Sequence, residues 1–301
     1  MKKVLALVLA VLMLTALLTA CGGNNGGSSD APASNNQSVG KESSADCFEW
    51  DIADETVIIG YSEKGLKQTS LVIPENCTEV LDLAYNENVK HIAFANPDTV
   101  VGSYVFEECT ALESVSLPAN MTKIGKATFA DCVSLKKVEI PAGVTVIDDN
   151  AFARCAALEE VILGSAVEEI GYDAFESCEA LKSIALPDSV TLIEDGAFKN
   201  CTALATVTFG SGLQVVEESA FEGCTSLKSV KLQEGVTTLG GYAFGLCDAL
   251  EEVYLPASLE SVEISALAQT HNFTVYVVSG SYMDTYLADM MGAEYMAKEY
   301  Q

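Results

Sequence analysis

Residues 151–173 read AFARCAALEEVILGSAVEEIGYD, and residues 174–196 read AFESCEALKSIALPDSVTLIEDG. Laid one on the other, the two stretches share Ala, Phe, Cys, Leu, an apolar-x-apolar pair and a second apolar pair, with no gap. The pattern extends in both directions. Phenylalanine falls at Phe106, Phe129, Phe152, Phe175, Phe198, Phe221 and Phe244, 23 residues apart each time. Three residues after each comes Cys109, Cys132, Cys155, Cys178, Cys201, Cys224 or Cys247. Three further on comes Leu112, Leu135, Leu158, Leu181, Leu204, Leu227 or Leu250. A fixed period of this length describes a solenoid, in which one coil cannot bury its own apolar face and stacked coils bury a continuous one.

Within a unit, pairs such as Val138 and Ile140 alternate with polar residues and predict short strands. The spacing of three and three in Phe-x-x-Cys-x-x-Leu predicts a helical or 3₁₀ turn facing inward. Seven coils at about 4.8 Å per strand step give a stack about 30–35 Å long. The fold class is therefore a repeat solenoid of 23-residue coils, each with short parallel β-strands and helical or 3₁₀ turns.

The unit Ala-Phe-x-x-Cys-x-x-Leu-x-x-Val-x-Leu-Pro-x-x-Val-x-x-Ile resembles the bacterial surface-antigen (BspA-like) leucine-rich repeat. The likeness runs from about Leu83 to Val278, with weaker flanks from Cys47 to the C-terminus. It implies a cell-surface protein associated with adhesion and protein recognition, and it implies no catalytic residues.

Open solenoids need caps at both ends. Phe48, Trp50, Ile52 and Val57 to Tyr61 predict an N-terminal cap of short strands, and Leu71 to Pro74 begins a degenerate first coil, so that cap and coil occupy 46–82. The regular solenoid follows over 83–278. At its end Leu267 takes the Phe position, Thr270 takes the Cys position, and Phe273 to Val278 predicts a last strand. Ser281 and Asp284 form a capping-box pattern that starts a closing helix in 279–301, with Tyr282, Tyr286, Leu287 and Met290 on its inner side.

Ahead of all this, residues 1–20 carry Lys2-Lys3 and an apolar run from Val4 to Leu14, the form of a secretory signal peptide. Leu18-Thr19-Ala20-Cys21 resembles a bacterial lipobox, which implies that Cys21 is lipidated and becomes the mature N-terminus. Residues 21–45 then read as a flexible tether of Gly, Asn, Ser and Ala with a reach of about 25–30 Å. The expected address is extracytoplasmic: a cell-surface domain held to the membrane through the N-terminal lipid alone.

The chain holds 43 acidic and 16 basic residues, for a net charge of −27. Such a surface repels phosphate backbones and anionic headgroups, which argues against nucleic acid as a partner. Histidine is confined to His91 and His271, at opposite ends of the repeat, and the lone arginine is Arg154. No nucleophile-elbow, zincin or phosphate-loop pattern is present, no cofactor is implied, and a tightly packed solenoid is expected to have no deep pocket. The cysteine column lacks Cys-x-x-Cys metal spacing and reads as buried thiols filling small spaces. Cys47 and Cys77 lie outside it, and a bridge between them stays open. Acidic pairs at Asp148-Asp149, Glu168-Glu169, Glu194-Asp195 and Glu217-Glu218 read as a solvated ridge, with a weak calcium site as the alternative.

Recognition falls to outward strand positions, which run Ser116, Glu139, Ile162, Ala185, Thr208, Lys231 and Tyr254 and change at every coil. The candidate ligand contacts are Glu139, Ile162, Thr208, Lys231 and Tyr254. The partner class is another protein or a surface glycan; a structural spacer without a dedicated ligand is the competing reading. The neighbouring column Glu113, Lys136, Glu159, Lys182 alternates in sign and predicts ion pairs between coils.

Overall fold

The computed structural model describes residues 45–271, 273–291 and 298–299. The signal segment, Cys21 and the tether up to residue 44 lie outside the described residues.

Each unit makes one coil with two strands. A three-residue strand, as in Lys137–Glu139 or Glu160–Ile162, is followed by a two-residue strand, as in Val146–Ile147 or Glu169–Ile170. Strands of successive coils in the regular part pair in parallel, 23 residues apart: Val138 faces Val161, and Ile147 faces Ile170. The longer-strand ladder is broken twice, between Glu160–Ile162 and Ser183–Ala185 and between Thr206–Thr208 and Ser229–Lys231. The central residue of the longer strand is buried and its two neighbours are exposed, as a period of two requires. The two-residue strands from Lys123–Ile124 to Ser261–Val262 form one seven-stranded sheet.

The third side of each coil is the Phe turn. Its bonds within the coil span three residues, as in Cys132 N–H to the Phe129 carbonyl (3.2 Å) and Leu135 N–H to that of Cys132 (3.0 Å). The 3₁₀ spacing expected from the sequence is therefore present in these bonds, but no regular helix forms. The residues two before and two after every Phe are left-handed, with φ from +48° at Ala127 to +74° at Gly223. Alternating hand turns every second N–H toward the next coil: Ala127, Phe129 and Asp131 donate to the carbonyls of Asp149, Ala151 and Ala153 at 2.8–2.9 Å. A left-handed residue costs about 1–2 kcal/mol, and this inter-coil ladder offsets the cost. Gly196 shows the constraint directly: at φ +65° an added Cβ would run into the Asp173 carboxylate.

The seven phenylalanines are fully buried and stack with ring centroids 5.0–5.3 Å apart and planes within 4–17° of parallel. The seven column cysteines are free and buried, as expected. They do more than fill space. Each from Cys132 to Cys247 donates its thiol to the Phe carbonyl of the preceding coil, at 3.1–3.4 Å. Thr270 continues the series through its hydroxyl, 3.0 Å from the Phe244 carbonyl.

At the N-terminal end Phe48–Trp50 pairs antiparallel with Val57–Tyr61. Ala45 opens a 3₁₀ turn, Ala45–Cys47, and its carbonyl accepts the Trp50 indole N–H at 2.9 Å, so Ala45 belongs to the cap and not to the tether. Ile52 is fully exposed and takes no part. Cys47 and Cys77 are both free and buried and form no bridge. The first coil already pairs in parallel, Ser70–Ile73 with His91–Phe94, but partners such as Leu71 and Ile92 lie two residues short of the 23-residue register.

At the other end Thr274–Val277 pairs with Glu252–Leu255, and the helix Tyr282–Met291 follows. Ser281 Oγ accepts the Asp284 N–H (3.2 Å), while the Asp284 carboxylate accepts the N–H of Gly280 (2.9 Å), one residue before the partner a capping box would use. Met283 is the buried residue of this helix, with Tyr286 packed beside it, and Tyr282 is exposed. The side chains of Leu287 and Met290 lie outside the described ones. A final strand, Lys298–Glu299, pairs with Tyr276–Val277 and was not expected from the sequence.

Candidate functional site

The face of the longer strands carries the five candidate contacts. Their strands are fixed from behind by the buried Val138, Val161, Val207, Val230 and Val253, so the residues on either side of each valine point outward. Glu139 lies beside Ile162, Thr208 beside Ala185, and Lys231 beside Tyr254. All five therefore share one face, with Ala185 occupying the coil between Ile162 and Thr208, although Glu139 and Tyr254 are too far apart to touch one small ligand.

The face has three chemical zones. In the first, Lys137 sits between Glu139 (3.1 Å) and Glu160 (3.3 Å), and Ile162 stands exposed next to them. His91 closes this zone with Nδ1 at 2.9 Å from Ser114 Oγ. The middle zone is small and polar: Ser183, Ala185, Thr206 and Thr208, all exposed. The last zone is aromatic. Tyr254 stacks on Tyr276 with centroids 4.3 Å apart and planes 7° from parallel. Lys231 Nζ lies 5.8 Å from the Tyr254 ring centroid, a cation–π arrangement. Both tyrosine hydroxyls donate to the Glu252 carboxylate, at 3.1 and 3.3 Å. Burial first, then the bond to Glu252, pushes the Tyr254 hydroxyl up to about 12. Tyr276 and Glu252 were missed from the sequence because Tyr276 lies 22 residues after Tyr254, one short of the repeat.

Beside this face run the expected ion pairs. Glu113 is held by Lys136 at 2.8 Å and by Lys90 at 3.0 Å, and Lys182 meets Glu159 at 2.6 Å. These pairs are exposed and contribute chiefly to register and solubility.

The acidic ridge is less uniform than the sequence implied. Asp148 falls in line with Gly171 and Glu194, whereas Glu168-Glu169 begins a strand earlier in its coil. Asp148 pairs with Lys123 at 2.6 Å and Asp149 with Lys126 at 3.2 Å. Among the described residues no three His, Cys, Asp or Glu side chains gather as a metal site would require. The surface has open recesses: one of about 390 Å³ bordered by Glu217, Glu218 and Glu263, one of about 320 Å³ beside Val100 and Lys123, and one of about 180 Å³ beside Val262 and Met283. None of the three is lined by His or Cys.

The BspA-type leucine-rich repeat model matches residues 61–182 and 168–284, in six copies. The chain belongs to this family. Among solved structures, a leucine-rich repeat protein from Bacteroides ovatus is 25% identical, with a TM-score of 0.59 over 77% of this chain and 70% of that one. The Treponema pallidum leucine-rich repeat protein is 30% identical, with a TM-score of 0.52 over 70% of this chain and 91% of that one. None of the curated proteins matches the chain.

Proposed function

We propose that this BspA-type repeat protein is a lipid-anchored, extracytoplasmic surface protein whose strand face binds another macromolecule, in adhesion or protein recognition, without catalysis. One observation carries the reading. Inward positions repeat Phe, Cys and Leu at each coil, while the outward residues of the longer strands pass from charged to small and polar to aromatic. Register and solubility require no such zoning, and an extended partner with matching zones would use it. Tyr254 and Tyr276 supply the rigid aromatic area favoured at binding hot spots.

The test is capture from a surface extract by the full chain in detergent, with Tyr254→Ala/Tyr276→Ala and Glu159→Ala as paired variants. Capture lost in the first and kept in the second supports the strand face. Equal capture by both would move recognition off the tyrosine pair, and no capture by the parent chain favours the spacer reading. Cys21→Ser tests the anchor: it is expected to leave the chain uncleaved or released from the membrane.

A further inference from the structure

The sheet of two-residue strands is interrupted once. From Lys123–Ile124 onward it is continuous, and Val57–Tyr61, Glu79–Val80 and Val100–Val101 form a separate ladder before it. Before the gap Val100 N–H donates to the Thr78 carbonyl (2.8 Å) and Gly102 N–H to that of Val80 (3.1 Å); after it Thr145 N–H donates to the Thr122 carbonyl (2.9 Å) and Asp148 N–H to that of Ile124 (3.0 Å). Across the gap the counterparts, Thr122 or Lys123 N–H to Thr99 and Gly125 N–H to Val101, are not formed. The coils stay joined at the Phe turn, where Phe106 N–H reaches the Thr128 carbonyl at 2.9 Å, at the longer strands, and beside the gap, where Asn120 N–H donates to the Pro97 carbonyl (2.9 Å) and Lys126 N–H to Ser103 Oγ (3.2 Å). The result is a notch of about 320 Å³, open on the short-strand side.

Two other features meet there. Ile59, Val100 and Leu81, the last just past the end of Glu79–Val80, are exposed to 39%, 56% and 47%. They make an apolar patch leading into the notch, where Val101 and Met121 form part of the lining. In later coils the Val100 position is again apolar at Val146, Leu192 and Val215, but the positions equivalent to Ile59 and Leu81 are Asp148, Gly171, Glu194 and Glu217, so the Ile59 and Leu81 part of the patch belongs to this end. The local charge is negative: Asp98 lines the notch and accepts the Asn120 amide at 2.6 Å, Glu79 lies between Val57 and Val100, and neither has a salt bridge among the described residues, while Lys123 is taken up by Asp148 at 2.6 Å.

We propose that this notch receives an extended peptide segment of a protein partner, with apolar side chains flanked by lysine or arginine. The segment's backbone meets the N–H groups of Thr122 and Lys123, exposed on the rim and unpaired in the ladder, its apolar side chains lie on Val100 and Leu81, and its cationic residues face Asp98 and Glu79. Directional backbone groups beside an apolar patch are the chemistry of strand-type peptide recognition. The volume is at the lower end of the roughly 300–1,000 Å³ usual for ligand pockets, which fits a short segment. This inference rests on the recognition reading above and assigns it a second surface, away from the strand face.

The probe is a fluorescent peptide, acetyl-Lys-Val-Thr-Val-Lys-amide, titrated into the full chain in detergent by anisotropy, with hydrogen exchange read by mass spectrometry. Saturable binding is expected, with exchange slowed in fragments spanning 98–104 and 120–126. Methylating the central backbone nitrogen of the peptide, or replacing both lysines with glutamate, is expected to weaken binding about tenfold. Val100→Lys is expected to remove binding while leaving the thermal melt unchanged. Protection confined to the strand face, as at 206–208 or 252–254, would overturn the notch and leave recognition standing. Equal affinity of the N-methylated peptide, or no protection at all, would also overturn it; recognition would then stand or fall on capture from the surface extract.

Discussion

The thiol of Cys178 donates to the carbonyl of Phe152, 3.3 Å away in the preceding coil. The same carbonyl also accepts the N–H of Cys155 at 3.2 Å. Each column cysteine thus ties its own coil to the one before it, through a carbonyl that a bulkier apolar side chain would leave with one donor. Cys178→Ala is expected to cost about 1–2 kcal/mol, for a lost buried bond and a small void. Cys178→Ser retains a donor, as Thr270 does naturally, and is expected to lose about half as much. Urea midpoints of the purified variants decide this: equal losses for Ala and Ser would reduce the column to space filling.

The same burial sets an alkaline limit. It pushes the thiols of Cys109, Cys201 and Cys247 from an ordinary value near 9 up to about 12. Below pH 9 the thiol is neutral in both the folded and the unfolded chain, and its stabilising contribution is fully present. Above it the unfolded thiol ionises first, so stability falls as pH rises toward the folded value, by about 1.4 kcal/mol per pH unit for each thiol. Cys201→Ala is expected to make the dependence of stability on pH shallower by one such contribution between about pH 9.5 and 11. An unchanged slope in urea titrations across that range would contradict it.

Phe175 lies between Phe152 and Phe198, 5.2 Å from each ring. Phe175→Ala is expected to cost about 3–5 kcal/mol. Leu267, half-buried at the end of the same column, is expected to cost about half that. The exposed Glu179 is the proper surface control, at about 0.5 kcal/mol or less. Its neighbour Glu176 is not, because Arg154 contacts it at 3.4 Å and Ser177 donates to it at 3.0 Å. Denaturant unfolding ranks the three; equal losses at Phe175 and Leu267 would mean that position along the stack does not matter.

Glu113 shows what an exposed ion pair does here. Lys136 first, then Lys90, lowers its carboxyl to about 2. Its favourable interaction is present above the ordinary carboxylate range and lost as pH falls through that lowered value. Carbon-detected NMR of the carboxyl is expected to show Lys136→Ala raising the midpoint more than Lys90→Ala. The reverse order would mean that the shorter contact is not the stronger one.

The 23-residue register, the buried Phe, Cys and Leu columns and the outward strand positions were legible because each depends on spacing alone. What escaped the sequence depends on backbone hand or on a broken period. The left-handed pairs around each Phe hold only two glycines, Gly196 and Gly223, among residues as unlike as Tyr104 and Arg154. The thiol bonds join residues 26 apart, a separation that no pattern within one unit contains. Tyr276 was missed on the strand face because its coil is one residue short, and the closing helix buries Met283 where helical spacing favoured Tyr282. The notch at Val101 follows from two missing backbone bonds between coils whose side chains still follow the repeat closely.

Those missing bonds also bear on load. The ladders that join coils run along the stack, so a pull between its two ends opens them one coil at a time, as a zipper opens, rather than shearing a long row together. At most junctions two strand sides and the Phe turn resist. Three junctions lack one strand ladder: the short-strand one between Val101 and Lys123, and the longer-strand one between Ile162 and Ser183 and between Thr208 and Ser229. Tension would therefore separate the coils at these three places before the rest, and the protein would lengthen in steps while the stacked rings between them stayed together.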